Sequence, residues 1–82
     1  MKSADQLRVL AILDKTIPAE GKVEWKDIVK AVSAEMKIGN WMDVRGVLQF
    51  MKDGDMIIRH PDIMIEAYTK APNPKKTAKD FL

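Results

Sequence analysis

Residues 40–59, Asn-Trp-Met-Asp-Val-Arg-Gly-Val-Leu-Gln-Phe-Met-Lys-Asp-Gly-Asp-Met-Ile-Ile-Arg, constrain this chain more than any other stretch. Asn40 is a residue type whose side chain caps a helix by accepting from free backbone N–H groups, and Asp43 three positions later makes an approximate capping box. Val44, Val47, Leu48 and Met51 then recur at intervals of three and four, so one side of a helix is marked for burial, with Phe50 at the border of that stripe. Gly54 ends the helix, and residues 56–59 have the isoleucine-rich character of a strand. A buried-faced helix that passes into a strand within a few residues must share one core with it.

With 82 residues there is enough chain for one such core and not two. The expected organisation is a folded domain over residues 1–71 and a flexible, basic tail over 72–82, where Pro72, Pro74, Lys75 and Lys76 break the pattern; Phe81 and Leu82 are expected to touch the body. Ser3 is a candidate cap for a first helix over residues 3–16, with Leu7, Leu10, Leu13 and Ile17 as its buried stripe. Val9 and Ile12 widen that arc, as suits a helix packed between two others or, alternatively, half of a dimer interface. Pro18 and Gly21 mark a loop. Residues 22–25 are too short for more than a single bridge. A second helix follows with Trp25, Ile28, Val29, Val32 and Met36 at helical spacing, expected to stop near Lys37 with Gly39 in the left-handed conformation. After the third helix, residues 56–59 and 63–68 read as two strands of a hairpin, the second alternating Ile63, Ile65 and Ala67 with Met64, Glu66 and Tyr68. Residues 59–62 form the turn, where Pro61 gives up no ladder donor.

Several function classes fall away. The chain has no cysteine and one histidine, His60, which removes thiolate chemistry, disulfides and a histidine-rich metal site. Ser3 and Ser33 lack the context of an activated hydroxyl, and Asp53-Gly54-Asp55 lacks the further ligands of a calcium loop. The expectation is a protein that is not an enzyme, with no cofactor and no metal. No apolar run reaches the length of a membrane span, and residues 1–5 lack a signal-peptide pattern, so a cytoplasmic protein without membrane partners is expected. The net charge of +2 is unevenly spread. Residues 69–82 hold four lysines against one aspartate, which leaves residues 1–68 with ten basic and eleven acidic side chains. A body so close to neutrality lacks the broad positive field of a strong nonspecific nucleic-acid binder.

The order helix, short strand, helix, turn, helix, two-stranded hairpin resembles the winged-helix superfamily over roughly residues 3–70. The residues that carry the resemblance are Val44, Leu48, Met51 and Gly54 followed by Met56-Ile57-Ile58-Arg59. The second helix departs from the pattern by starting without a Ser or Thr cap, and the third by opening on bulky Trp41-Met42. The resemblance implies an α+β fold, three helices followed by a two-stranded β-hairpin wing, with the third helix as the DNA-reading element. If Val44, Leu48 and Met51 point inward, Met42, Arg45, Gly46, Gln49 and Lys52 point outward. Arg45 has the fork to reach guanine and Gln49 the amide to pair with adenine. Asn40 and Trp41 lie at the end that enters a groove first. Lys37, Lys52 and Arg59 suit phosphates, and His60 lies in the turn expected to touch backbone or minor groove. A small transcriptional regulator bound to double-stranded DNA follows, and such a small module would gain from pairing as a homodimer. The same residues also admit a second reading. Arg45 and Gln49 are also ordinary solvent-facing residues, and Trp41, Met42, Met64 and Tyr68 suit a protein-interaction module that binds no DNA.

Overall fold

A computed structural model describes residues 2–77 and residue 80. The elements are α1 (Ser3–Thr16), β1 (Val23–Glu24), α2 (Trp25–Glu35), α3 (Trp41–Asp53), β2 (Ile57–Arg59) and β3 (Ala67–Lys70). They make a small α+β domain in which three helices pack beside a three-stranded antiparallel sheet of order β1-β3-β2. Val23 and Glu24 pair with Tyr68 and Ala67 on one edge of β3, while Ile57, Ile58 and Arg59 pair with Lys70, Thr69 and Tyr68 on the other. The expected two-stranded hairpin is therefore a sheet of three, because even two residues of β1 suffice to close the free edge of β3.

The core collects most of the residues that the periodicity picked out, while Leu7 and Val29 stay half-buried outside it. Val9, Leu10 and Leu13 from α1, with Ile17 just beyond its end, meet Ile28 and Val32 from α2 and Val44, Val47, Leu48 and Met51 from α3, and Ile57 and Tyr68 close it from the sheet. Both Val9 and Ile12 are buried within the single chain, so the wide apolar arc of α1 is explained by packing against α2 and α3. Each of these fully buried aliphatic side chains contributes about 1.5–3 kcal/mol relative to exposure, and together they dominate the stability of so small a domain.

The helix ends differ in detail from the sequence expectation. The residue before α1 is Lys2, so Ser3 is its first helical residue and no side chain caps it. At α2, Glu24 and Asp27 form the capping box that the missing Ser or Thr left unexplained, with the Glu24 N–H donating to the Asp27 carboxylate over 3.2 Å. That helix ends at Glu35, with Met36 extended, and Gly39 does not take the left-handed conformation. At α3, Asn40 caps as expected, its side-chain oxygen accepting from the Met42 N–H at 3.0 Å.

The second strand is displaced. Residues 63–66, expected in a strand, belong to a loop running from His60 to Glu66, and Ile63 and Met64 are 86% and 87% exposed. Asp62 is the cause. Its side chain accepts from the Met64 N–H at 2.9 Å and its carbonyl from the Ile65 N–H at 3.1 Å, a local turn that competes with ladder formation. Pairing resumes only where the His60 N–H donates to the Ala67 carbonyl. The tail also departs from expectation. The Lys75 and Lys76 N–H groups both donate to the Gly54 carbonyl, and Lys75 pairs with Asp55 at 3.1 Å. Residues 74–76 thus form a strap over the end of α3, and Gly54 is buried beneath it. Phe81 and Leu82 lie outside the described residues.

Candidate nucleic-acid interface

The third helix divides cleanly. Val44, Val47, Leu48 and Met51 are in the core, whereas Met42 is 68% exposed and Gly46, Gln49 and Asp53 are exposed beside it. Arg45 and Lys52 lie at the margin between these faces, next to the sheet. A cleft of about 160 Å³ separates α3 from β2 and β3, lined by Arg45, Leu48, Gln49, Lys52, Arg59, Glu66 and Tyr68.

Arg45 does not present its fork outward as the spacing suggested. Its two terminal nitrogens donate to the two oxygens of Glu66, at 2.6 and 3.1 Å, in the bidentate arrangement for which guanidinium and carboxylate are matched. The guanidinium carbon Cζ lies over the Trp25 ring, 4.0 Å from its centroid, a cation–π contact. Trp25 in turn meets Trp41 edge to face, with centroids 6.1 Å apart. The Tyr68 hydroxyl donates to the same Glu66 carboxylate at 2.8 Å. One arginine therefore ties together α3, the start of α2 and the segment entering β3. Hydrogen bonding from Arg45 leads the causes that hold the Glu66 carboxyl below its usual range, with Tyr68 and Arg59 adding to it. Burial, and then the bond to Glu66, push the Tyr68 hydroxyl up to about 12.

The other expected site residues separate into two groups. Asn40 is committed to its cap, Trp41 is half-buried against Trp25, and the His60 ring nitrogen Nδ1 accepts from the Asp62 N–H within the loop. These three shape the face. Met42, Gln49, Lys52 and Arg59 remain available to a partner. Gln49 donates to Asp53 at 2.8 Å, at an exposed position where that bond exchanges readily with water. Lys52 and Arg59 make no ion pair or side-chain hydrogen bond among the described residues. Glu66 and Trp25 were not among the expected site residues, and Tyr68 was expected only on the alternative protein-interaction surface, from which its burial at 3% exposure removes it. Alternation did place Glu66 and Tyr68 on one face of a strand, but nothing local joins either of them to Arg45.

Lys37 lies apart, lining an open pocket of about 530 Å³ with Asp5, Arg8, Glu35 and Asp43. Its acidic surroundings make it a poor phosphate contact. Among the described residues, no helix is long and apolar enough to cross a membrane, and no group of three acidic or histidine side chains converges as a metal site. No family model, curated protein or solved structure matches the chain.

Proposed function

We propose that this chain is a winged-helix domain that binds double-stranded DNA and acts as a small transcriptional regulator. In this reading α3 enters the major groove and the loop 60–66 is the wing. The element order and the docking of β1 on β3 support the superfamily assignment by resemblance, which by itself carries no function. One observation carries the function. The uncovered side of α3 runs along a cleft whose lining holds three cations, Arg45, Lys52 and Arg59, against one carboxylate, Glu66. A local positive margin beside a free helix face suits a duplex even where the whole body is near neutral.

The division of labour follows from the contacts. Met42 and Gln49 face the base edges, Met42 toward apolar groups such as the thymine methyl and Gln49 toward adenine. Lys52 and Arg59 take phosphates. Arg45 is a positioning residue, holding the wing root against α3 through Glu66. Gly46 supports a close partner on this face. It sits in mid-helix, where glycine costs on the order of 1 kcal/mol relative to alanine, yet a Cβ built there would meet nothing within 4 Å. Nothing inside the domain requires glycine at that position, whereas the close approach of a groove wall would.

A titration of the full chain against random-sequence and selected duplexes at two salt concentrations tests the proposal. Binding at low salt that weakens steeply with added salt is expected, with Gln49→Ala altering sequence preference more than affinity. A folded protein that leaves duplex DNA unbound at low salt would overturn it. The exposure of Met42, Ile63 and Met64 favours a second reading, a protein-docking surface. On that reading Met42→Ala breaks a protein complex that DNA does not affect.

A further inference from the structure

The cleft between α3 and β2 has features that DNA reading by a helix face does not require. It is far smaller than the roughly 300–1,000 Å³ of small-molecule pockets, so it admits one compact group and not a nucleotide. Its polar lining is cationic, and the single carboxylate in it is already saturated: Arg45 occupies both oxygens of Glu66, and Tyr68 shares one of them. Lys52 and Arg59 flank the same space and form no ion pair among the described residues, although the Arg59 charge is felt by Glu66. Gln49 and Tyr68 add polar atoms to the wall.

We infer that this cleft is a binding site for a single phosphate group, held by Lys52 and Arg59, and that Glu66 is an internal anion that keeps the Arg45 fork from joining it. The inference rests on the DNA reading only for the source of the phosphate, which is then the duplex backbone. Lysine supplies a point charge and arginine a planar donor pair, which together satisfy a tetrahedral anion from two directions. The Glu66 carboxylate presents to Arg45 the same paired oxygens that a phosphate would. It therefore sets the strength of the site by withholding the best-shaped donor in the cleft. A regulator benefits from such a limit, because phosphate contacts add affinity without sequence information.

The test uses the full chain, as wild type, as Glu66→Gln, and as the double variant Lys52→Ala/Arg59→Ala, with far-ultraviolet dichroism confirming that each is folded. Glu66→Gln keeps the shape and an acceptor for Tyr68 while removing the charge. In one arm inorganic phosphate is titrated against chloride at constant ionic strength, and the arginine Nε–Hε and the α3 amide signals are followed by NMR. In the other, duplex DNA is titrated over a range of salt. Expected are phosphate-specific shifts confined to the cleft and lost in the double variant. For DNA, the slope of log affinity on log salt should flatten by about two in the double variant and steepen by about one in Glu66→Gln. The site is overturned if neither ligand senses the double substitution, and the role given to Glu66 is overturned if Glu66→Gln behaves as wild type toward both. Phosphate binding without duplex binding would leave the site standing, as one for a free phosphate or phosphate ester, and remove the DNA reading. Duplex binding indifferent to Lys52 and Arg59, with no phosphate shifts, would do the reverse.

Discussion

Arg45 illustrates how a residue's role is decided by what lies opposite it and not by its own position on a helix. Its side chain is 40% exposed, so water and salt screen the pair with Glu66, and the pair is worth less than a buried one. The bidentate geometry and the cation–π contact with Trp25 still place it above a typical surface ion pair, and Arg45→Ala is expected to cost about 1–2 kcal/mol of stability in a urea titration. Arg45→Lys should recover little of it, because an ammonium cannot make the paired bonds. The same network predicts two pH limbs. The folded-state Glu66 carboxyl titrates below its ordinary value of 4.5, so its contribution is complete above that value and is lost as pH falls through the lower folded one. Tyr68 behaves in the opposite sense. Its hydroxyl is raised from 10.0 to about 12, so its contribution is complete below pH 10 and disappears as pH rises from there toward the folded value. Thermal melts across pH should show both limbs, with Glu66→Gln flattening the acid one and Tyr68→Phe the alkaline one. Acid and alkaline limbs that persist unchanged in these variants would show that other groups dominate.

The elements show what a local pattern can and cannot carry. The third helix was legible almost residue by residue: Asn40 caps it, Val44, Val47, Leu48 and Met51 are buried, and Gly54 ends it. Those features depend on neighbours within one or two turns. Residues 63–66 alternate like a strand yet form none, because alternation says nothing of whether a surface lies opposite to receive it, and the Asp62 turn removes Ile63 from the sheet. The Arg45–Glu66 pair joins positions 21 apart and had no local signal at all. The two glycines of this region make the same point and give a paired prediction. Gly46 has open space around it, so Gly46→Ala is expected to stabilise the domain by up to about 1 kcal/mol through helix propensity, while a bulkier residue there weakens duplex binding. Gly54 adopts an ordinary negative φ, yet a Cβ there would stand 2.6 Å from the Cβ of Lys76. That atom is fixed to the strap's backbone, so it cannot swing aside. Gly54→Ala should therefore lift the strap and cost stability despite the better propensity. Urea titrations of both variants, with amide exchange at Lys75 and Lys76, measure the contrast; equal effects at the two positions would contradict it.

For the whole molecule, the consequential contact is the one between the strap and the body. Composition alone makes residues 72–82 a charged appendage whose removal changes only electrostatics. The contacts say otherwise for part of it. Lys75 and Lys76 satisfy the Gly54 carbonyl, one of the acceptors that a helix end leaves unpaired, Lys75 neutralises Asp55, and the Lys76 ammonium lies 5.5 Å from the Phe50 ring centroid. In a domain of this size the margin of stability is a few kcal/mol, so these contacts matter to the fold as well as to the field around it. Ending the chain at Ala71 is therefore expected to lower the unfolding free energy by about 1–2 kcal/mol, the loss of two backbone hydrogen bonds and a weak ion pair offset by the entropy released. It should also reduce duplex affinity and flatten its salt dependence, because three lysines leave with the segment. The two effects separate experimentally. Replacing Lys75 and Lys76 with glutamine removes their charge and leaves the backbone bonds to Gly54 in place, so it should flatten the salt dependence while most of the stability remains. A truncation that changes the salt slope without changing the urea midpoint would show that residues 72–77 act on DNA alone and contribute nothing to holding the end of α3.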